Sequence, residues 1–514
     1  MVHAAPEDGT GDGLGQIQGR EPHPMKRLYE HYDDLMQGRI DRRTFFKRAA
    51  AAGATTPLIS SWLSQPAAAS YLPASHNHFS LTRAAAQTAA MQPPAEGIDT
   101  AQALVFRGWN YRPEVVQDNT NRFNEKYAEN VDYQTITGDY ISIMENFHIA
   151  NQPLDMAYAN PATLARWQLP GWVHDYEAWW DVDDARGELY EGVRQSLTIG
   201  DKLYGLPYFV SIRGTLAANM AVLDKAGITA ADFPTTWDEL YTQLRQLKAD
   251  GVTDGAPFLP HWFASGVWFG ISWGYLFETM NRGAVLFDDA NMPVFDEKSL
   301  AILQEWRTLL EEEIVPETVF TMGEADWIDA FATGKYAYSP QQIYDLKVFN
   351  DPAKSQVAGQ VVPVPVAEQP WGIIDEGIYT VPKRASDTEE ILARKYRLAG
   401  FFGYRDDTEG GELYVAKRWA IEAALNSGYT AILQDPEVIE AYNEWLPDPE
   451  LLPVLEGIVN AGTFPKVWQT FWWEEWNAQA MAELPKAVLG QTPVEEVHAA
   501  LKTLAEELVA RYAV

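Results

Sequence analysis

Short apolar runs alternate with a helical segment where the folded part of this 514-residue chain begins, and this alternation constrains the fold most strongly. Leu104 to Phe106 is typical of a buried strand, residues 114–128 have helical spacing, and Val131 to Ile136 is a second strand candidate. A third apolar run extends from Leu154 to Tyr158. Strand, helix and strand at this spacing predict an α/β lobe with a largely parallel sheet.

Three later helices are predicted from their capping residues and apolar spacing. Thr236 can cap a helix in which Glu239 returns the hydrogen bond. Residues 297–313 form a second helix, and the last begins at Thr492 with Pro493 in its first position. The apolar stripes of the first two helices include Trp237 and Trp306, which we therefore assign to the core.

Composition excludes several classes of function. The formal charge of −33 makes nucleic acid and anionic membrane surfaces unfavourable partners. The chain has no cysteine, which removes disulfides, thiolate catalysis and cysteine-based metal sites. No segment of the mature chain has the 18 to 20 uninterrupted apolar residues that a bilayer-spanning helix needs. We expect a water-soluble, multi-lobed monomer without a metal or other cofactor.

The N-terminal region is typical of an export signal. Arg42 and Arg43 precede a short apolar stretch from Ala49 to Leu63, and small residues follow at 67–69. The paired arginines resemble the twin-arginine signal, which an export receptor reads. We expect residues 1–69 to be removed by cleavage after Ala69, residues 70–102 to be a linker, and the protein to be periplasmic or at the cell surface.

Seven landmarks along the chain carry a family resemblance, and their order and spacing matter more than any one of them. In this order the chain resembles the family 1 extracellular solute-binding proteins, which include maltose-type sugar binders. The chain departs from the family pattern at Tyr338, because a small residue and Met often follow the Gly-Lys-x-Ala element there. The landmarks are Lys202–Pro207, Asn219, Leu223–Gly227, Pro234–Leu240, Asp329–Ala337, Gly377–Pro382 and Leu489–Glu496.

The resemblance implies the fold of a type II-like periplasmic binding protein. Two α/β lobes are then joined by crossing strands, with a hinge and a ligand cleft between them. It also implies an ABC importer, whose permease subunits receive the ligand, and no catalytic residues. The mapping that we infer gives lobe one residues 103–210 and 338–380, and lobe two residues 211–337 and 381–514.

Ligand-binding candidates follow from the rule that open α/β sheets bind ligands at the carboxyl ends of their strands. Sugars need flat aromatic faces and planar amide or carboxylate groups. Each tryptophan could instead pack in the core, and each carboxylate could be a solvated surface group. The strand-end candidates are Trp109, Asn110, Tyr111, Asn160 and Tyr208, and the others are Asp139, Trp262, Trp268, Trp273, Gln341, Asp375, Glu376 and Trp472.

Two alternatives remain open from the sequence. Arg107 and Arg213 could bind a carboxylate or phosphate, which keeps acidic sugars and glycerol phosphates as ligands, or they could form structural salt bridges. An exported glycoside hydrolase would also be aromatic-rich and acidic, but no pair of carboxylates is singled out. A sugar-sensing receptor module would use the same cleft as a transport protein.

Overall fold

The computed structural model describes residues 90–94, 97–265, 269–405 and 411–512. Residues 82–148 and 153–514 belong to one compact unit, while 1–81 with 149–152 form another that falls almost wholly outside the described residues. The predicted signal region, most of the predicted linker and Trp268 also lie outside them. Within the described ranges, no helix is long and apolar enough to cross a membrane.

Strands are short throughout the described chain, and β6 and β10 are the longest. The strands are β1 (Leu104–Trp109), β2 (Val131–Ile136), β3 (Met156–Ala159), β4 (Thr198–Ile199), β5 (Lys202–Leu203), β6 (Leu206–Arg213), β7 (Thr215–Asn219), β8 (Tyr338–Gln341), β9 (Val361–Pro363) and β10 (Ile373–Thr380).

α-Helices are the other main regular elements of the described chain. They are α1 (Pro113–Tyr127), α2 (Tyr140–Ile149), α3 (Pro161–Gln168), α4 (Val182–Glu188), α5 (Glu191–Leu197), α6 (Met220–Leu223), α7 (Trp237–Ala249), α8 (Ile271–Asn281), α9 (Glu297–Glu311), α10 (Glu324–Ala332), α11 (Asp345–Phe349), α12 (Glu389–Gly403), α13 (Tyr414–Ala423), α14 (Pro436–Asn443), α15 (Leu452–Ala461), α16 (Trp473–Val488) and α17 (Val494–Tyr512).

The first sheet has five strands in the order β2-β1-β3-β10-β6. Strands β2, β1 and β3 are parallel, whereas β10 runs antiparallel to both β3 and β6. Helix α12 covers the face that carries Phe106 and Tyr379, since Phe402 contacts both rings. Helix α5 covers the other face, where Gly192 lies against Ile374. The predicted α/β class is confirmed.

The first two predicted strands are confirmed, and the third begins later than predicted. The Asp155 N–H donates to the Val105 carbonyl oxygen at 2.7 Å, but the Val105 N–H donates to the side-chain Oδ2 of Asp155 at 2.8 Å. Regular pairing of β3 with β1 then starts at Met156, opposite Phe106. Leu154 is still buried.

The second sheet has three strands in the order β8-β7-β9. Both outer strands pair antiparallel with β7, so residues 338–341 and 361–363 belong with 215–219. The division predicted from the sequence placed residues 338–380 in lobe one. Strands β8 and β9 lie in this range but pair with β7, which the same division placed in lobe two. The structure differs from the division again at α12, which the division placed in lobe two although it packs on the first sheet.

Candidate ligand-binding site

Four strand termini meet where the chain passes from the first sheet to the second. Strand β6 ends at Arg213, Gly214 follows with φ 101°, and β7 begins at Thr215. Thr215 pairs with Gln341 at the end of β8, and Arg213 pairs with Ile373 at the start of β10. The topology thus brings polar side chains from both sheets to one junction.

Arg213 lies at the centre of this junction and is only 5% exposed. Its Nε and Nη2 donate to Asp375 Oδ2 at 3.0 and 2.9 Å, and its Nη1 donates to Glu324 Oε1 at 3.1 Å. The guanidinium also lies 4.5 Å from the Phe269 ring centroid and 5.3 Å from that of Trp273. Burial disfavours the charged guanidinium, but the two carboxylates outweigh burial and raise the pKa of Arg213.

His261 completes the set of groups around Arg213. Its Nδ1 lies 3.0 Å from the carbonyl oxygen of Gly270, which can only accept, so Nδ1 carries the proton. The unprotonated Nε2 then accepts from Arg213 Nη1 at 3.4 Å. Burial and the nearby Arg213 charge lower the pKa of His261 to about 3. The imidazole is therefore neutral and acts as an acceptor.

Two further carboxyl groups at the junction are pushed toward their neutral form by burial. Burial raises the pKa of Asp375, although Arg213 opposes the shift. Burial and the neighbouring Glu324 raise the pKa of Asp345 to about 7, while the Gln342 N–H bond to Asp345 Oδ2, at 3.0 Å, opposes the shift. We call the five titratable groups, namely Arg213, His261, Glu324, Asp345 and Asp375, the junction cluster.

Two glutamines extend the junction cluster at the end of β8. Gln341 Nε2 donates to Ser339 Oγ at 2.8 Å, and Gln342 Nε2 donates to the Tyr344 hydroxyl. Both amides are buried, and neither Oε1 atom has a hydrogen-bond partner among the described residues. Buried acceptors of this kind need a donor from a ligand or from water.

Aromatic rings from both sheets border the junction. Phe209 on β6 contacts Tyr344 after β8, with ring centroids 6.2 Å apart. Next to Phe209, Tyr208 is stacked on Tyr158 at 4.7 Å and also contacts Trp419 at 5.3 Å. The Tyr158 and Tyr208 hydroxyls are buried and have no partner in the described part of the chain.

The strand-end candidates lie at or near these rings. Trp109 is half-buried and contacts Tyr158 at 4.6 Å, and Tyr208 is 2% exposed in the same group. Asn110 and Tyr111 are exposed. Asn160 instead caps α3, where its side chain accepts from the Thr163 N–H at 2.8 Å.

Of the remaining candidates, Asp375 and Trp273 contact Arg213, and Gln341 lies at the same junction, where it pairs with Thr215. Glu376 does not join them, because successive strand residues face opposite sides and its carboxylate meets Ser196 on α5. Asp139 is exposed and lies at the start of α2, where its Oδ2 accepts from Ser142 Oγ at 2.6 Å.

Two predicted tryptophans are core residues away from the junction cluster. Trp262 is 2% exposed and packs on Trp306 with ring centroids 4.6 Å apart. Trp472 is 6% exposed and packs on Phe287 at 5.4 Å. Large aromatic side chains gain most from full burial, which explains both positions. Trp237 and Trp306 are buried as predicted.

Sequence reasoning identified Arg213 only as one of two arginines that could bind an anion or form a salt bridge, and the structure shows the salt bridge. It missed His261, Glu324, Gln342 and Asp345 altogether. A usable signal was present at Gly214, since a glycine that ends a largely apolar, strand-like segment marks a bend where a strand leaves its sheet.

The sequence matches the family of bacterial extracellular solute-binding proteins over residues 109–396, which is more than half of the chain. The protein belongs to this family. A comparison of the sequence with curated proteins gives no significant match. In the described residues, no group of three or more His, Asp or Glu side chains could hold a metal ion.

Solved structures of sugar-binding proteins are similar to this chain. Maltose-bound MalE3 of T. maritima is 21% identical with a TM-score of 0.63, covering 79% of this chain and 99% of its own. The sugar-binding protein MalE of Xanthomonas citri is 16% identical with a TM-score of 0.64, covering 80% and 98%. A solute-binding protein of Agrobacterium vitis with bound D-mannitol is 19% identical with a TM-score of 0.58, covering 80% and 98%. The fold is therefore that of the two-lobed periplasmic binding proteins.

Proposed function

We propose that this protein captures a sugar or short oligosaccharide outside the cytoplasm and delivers it to an ABC importer. The junction cluster is the observation that carries the proposal. It gathers carboxylate and amide acceptors beside aromatic rings, at a point where both sheets contribute side chains. Sugar hydroxyls donate to such acceptors, while the apolar faces of the sugar ring pack on aromatic rings.

Two kinds of relationship support a sugar as the ligand. The protein belongs to a solute-binding family, and relatives of the same fold hold maltose in one case and D-mannitol in another. The Oε1 atoms of Gln341 and Gln342, which have no partner in the described part of the chain, favour a ligand that is rich in hydroxyl donors.

The proposal includes the partners and the location. We infer that the ligand bridges the lobe built on the first sheet and the lobe built on the second, so that binding favours the closed state. Permease subunits then receive the ligand. We expect export through the twin-arginine machinery, a monomeric protein, and no chemical turnover of the sugar.

The test is a thermal-shift screen of the purified protein against maltose, maltotriose, D-mannitol and common monosaccharides. A ligand that binds only the folded state raises the melting temperature in a saturable way. Each sugar that gives a shift is then recovered and checked for products. A shift without product supports a binding protein, whereas consumption of the sugar would replace it with a hydrolase.

A paired substitution ties the shift to the junction. Gln342→Met removes the amide but keeps the backbone N–H that bonds Asp345, and we expect about five- to tenfold weaker binding of the sugar found in the screen. Gln356→Met is the matched control, because Gln356 is exposed. Equal affinity of the two variants would contradict a ligand at the junction cluster.

A further inference from the structure

We propose that the junction cluster rejects anionic solutes because Arg213 is already neutralised in place, and that Glu324 is the residue that enforces this selectivity. The inference rests on the proposed function, since it names the class of sugar that the site accepts. It decides between the two ligand classes that the sequence left open. Neutral sugars and polyols are accepted, whereas uronic acids and glycerol phosphates are excluded.

The guanidinium of Arg213 is already bonded to other groups of the junction cluster. Arg213 presents donors in a planar fork, and this fork is the geometry that binds carboxylate or phosphate. Here Nε and Nη2 both point to Asp375 Oδ2, and Nη1 points to Glu324 Oε1 and to His261 Nε2. An incoming anion would therefore have to displace a carboxylate that is already bound.

The net charge of the junction cluster also disfavours an anionic ligand. Within the described residues, the junction cluster holds one cation and three carboxyl groups, with a neutral imidazole beside them. The group is therefore net negative whenever Asp375 and Glu324 are ionised. Like charges at short range in a buried site repel strongly, so a ligand carboxylate is disfavoured. A hydroxyl group that donates to the same oxygens is favoured.

Glu324 is the carboxylate that controls access to Arg213. The Asp375 side chain is 11% exposed, whereas that of Glu324 is 32% exposed. Glu324 thus covers Nη1 from the more open side, and it lies in the first turn of α10 rather than in the first sheet. Removing its charge leaves Nη1 without an anionic partner in a place that solvent reaches.

The experiment compares the wild type with Glu324→Gln. Calorimetric titrations use D-glucuronate and D-galacturonate, each beside its neutral aldose, and also glycerol 3-phosphate beside glycerol. We expect the wild type to bind each anion at least tenfold more weakly than its neutral counterpart. Glu324→Gln should raise the association constant for at least one anion tenfold or more, so that the ratio of the anion's association constant to that of its neutral counterpart rises.

Glu317→Gln is the matched control, because this exposed side chain carries the same charge. It should leave anion binding unchanged, and an equal gain in both variants would overturn the inference in favour of a general charge effect. If Glu324→Gln does not melt cooperatively, Glu324→Ala serves as the second variant, with the same gain expected.

The possible failures are distinguishable. Tighter binding of an anion than of its neutral counterpart by the wild type, or no gain of anion binding in a folded variant, overturns the inference and leaves sugar binding intact. Absence of binding by every neutral sugar overturns the proposed function, while a gain of anion binding by Glu324→Gln would still support the role assigned to Glu324.

Discussion

Asp345 is the residue in which burial and ionisation conflict most clearly at the junction. Its carboxyl group is 2% exposed and accepts a hydrogen bond from the Gln342 N–H at 3.0 Å. Burial, with Glu324 nearby, raises its pKa to about 7, against the Arg213 charge. In the unfolded chain the same group has an ordinary low pKa, so folding carries a cost wherever the carboxyl is ionised.

This conflict predicts a pH-dependent effect of Asp345→Asn. Because the folded-state pKa is raised, the stability associated with the protonated carboxyl is fully present below the unfolded pKa and is lost as the pH rises through about 7. Asparagine keeps the acceptor without the charge. The free energy of unfolding of the variant minus that of the wild type should therefore rise by about 2 to 3 kcal/mol from pH 5 to pH 8. Urea denaturation at both pH values measures it, and a pH-independent difference would refute the assignment.

The partners of Arg213 show why the sequence did not reveal that these residues form one site. His261, Glu324 and Asp375 lie 48, 111 and 162 residues away along the chain. No local spacing connects residues at such separations. Only the meeting of the two sheets makes them neighbours.

At the scale of elements, α7 shows how far local chemistry determines a helix. Thr236 caps it as predicted, with its Oγ1 accepting from the Glu239 N–H at 3.2 Å. The returning bond differs, because Glu239 Oε2 accepts from Thr235 N at 2.8 Å rather than from the capping residue. The signal therefore located the helix start correctly and misplaced one of its bonds.

The cap gives a second stability prediction. Thr236→Ala removes an acceptor from an exposed helix N-terminus and should lower the free energy of unfolding by about 1 kcal/mol. Thr242→Ala, one turn and a half further along the same helix, is the control and should change it by less than about 0.5 kcal/mol. Denaturant unfolding of both variants measures the difference, and equal effects would mean that the cap does not act as described.

At the scale of the whole molecule, the passage between the two sheets depends on two glycines in close approach. Gly214 has φ 101°, and a Cβ placed there would lie 2.8 Å from the Trp371 carbonyl oxygen. A Cβ on Gly372 would lie 2.1 Å from the Arg213 carbonyl oxygen. The two crossing segments thus pack backbone against backbone directly beside the junction cluster.

Gly214→Ala should therefore be costly. It combines an unfavourable φ with a clash against backbone that cannot move freely, and we expect a loss of at least about 2 kcal/mol in free energy of unfolding. Gly457→Ala is the control, because Gly457 is exposed in α15 and an added Cβ meets nothing within 4 Å. That change should stabilise the protein by about 0.5 to 1 kcal/mol. Tolerance of Gly214→Ala without loss would show that the crossing is not strained.

The sequence by itself determined the α/β class, the first two strands, the start of α7 and the family, because these depend on local periodicity, capping and ordered short motifs. It also indicated Gln341 and Asp375, as polar residues near predicted loop or hinge positions. Only the tertiary structure decided that β8 and β9 pair with β7, and that Asp375 rather than Glu376 faces Arg213. The physical reason is that packing between distant segments determines which strands pair. Such packing also determines which residues of a strand that is buried on both faces point to the site, and no single segment encodes it.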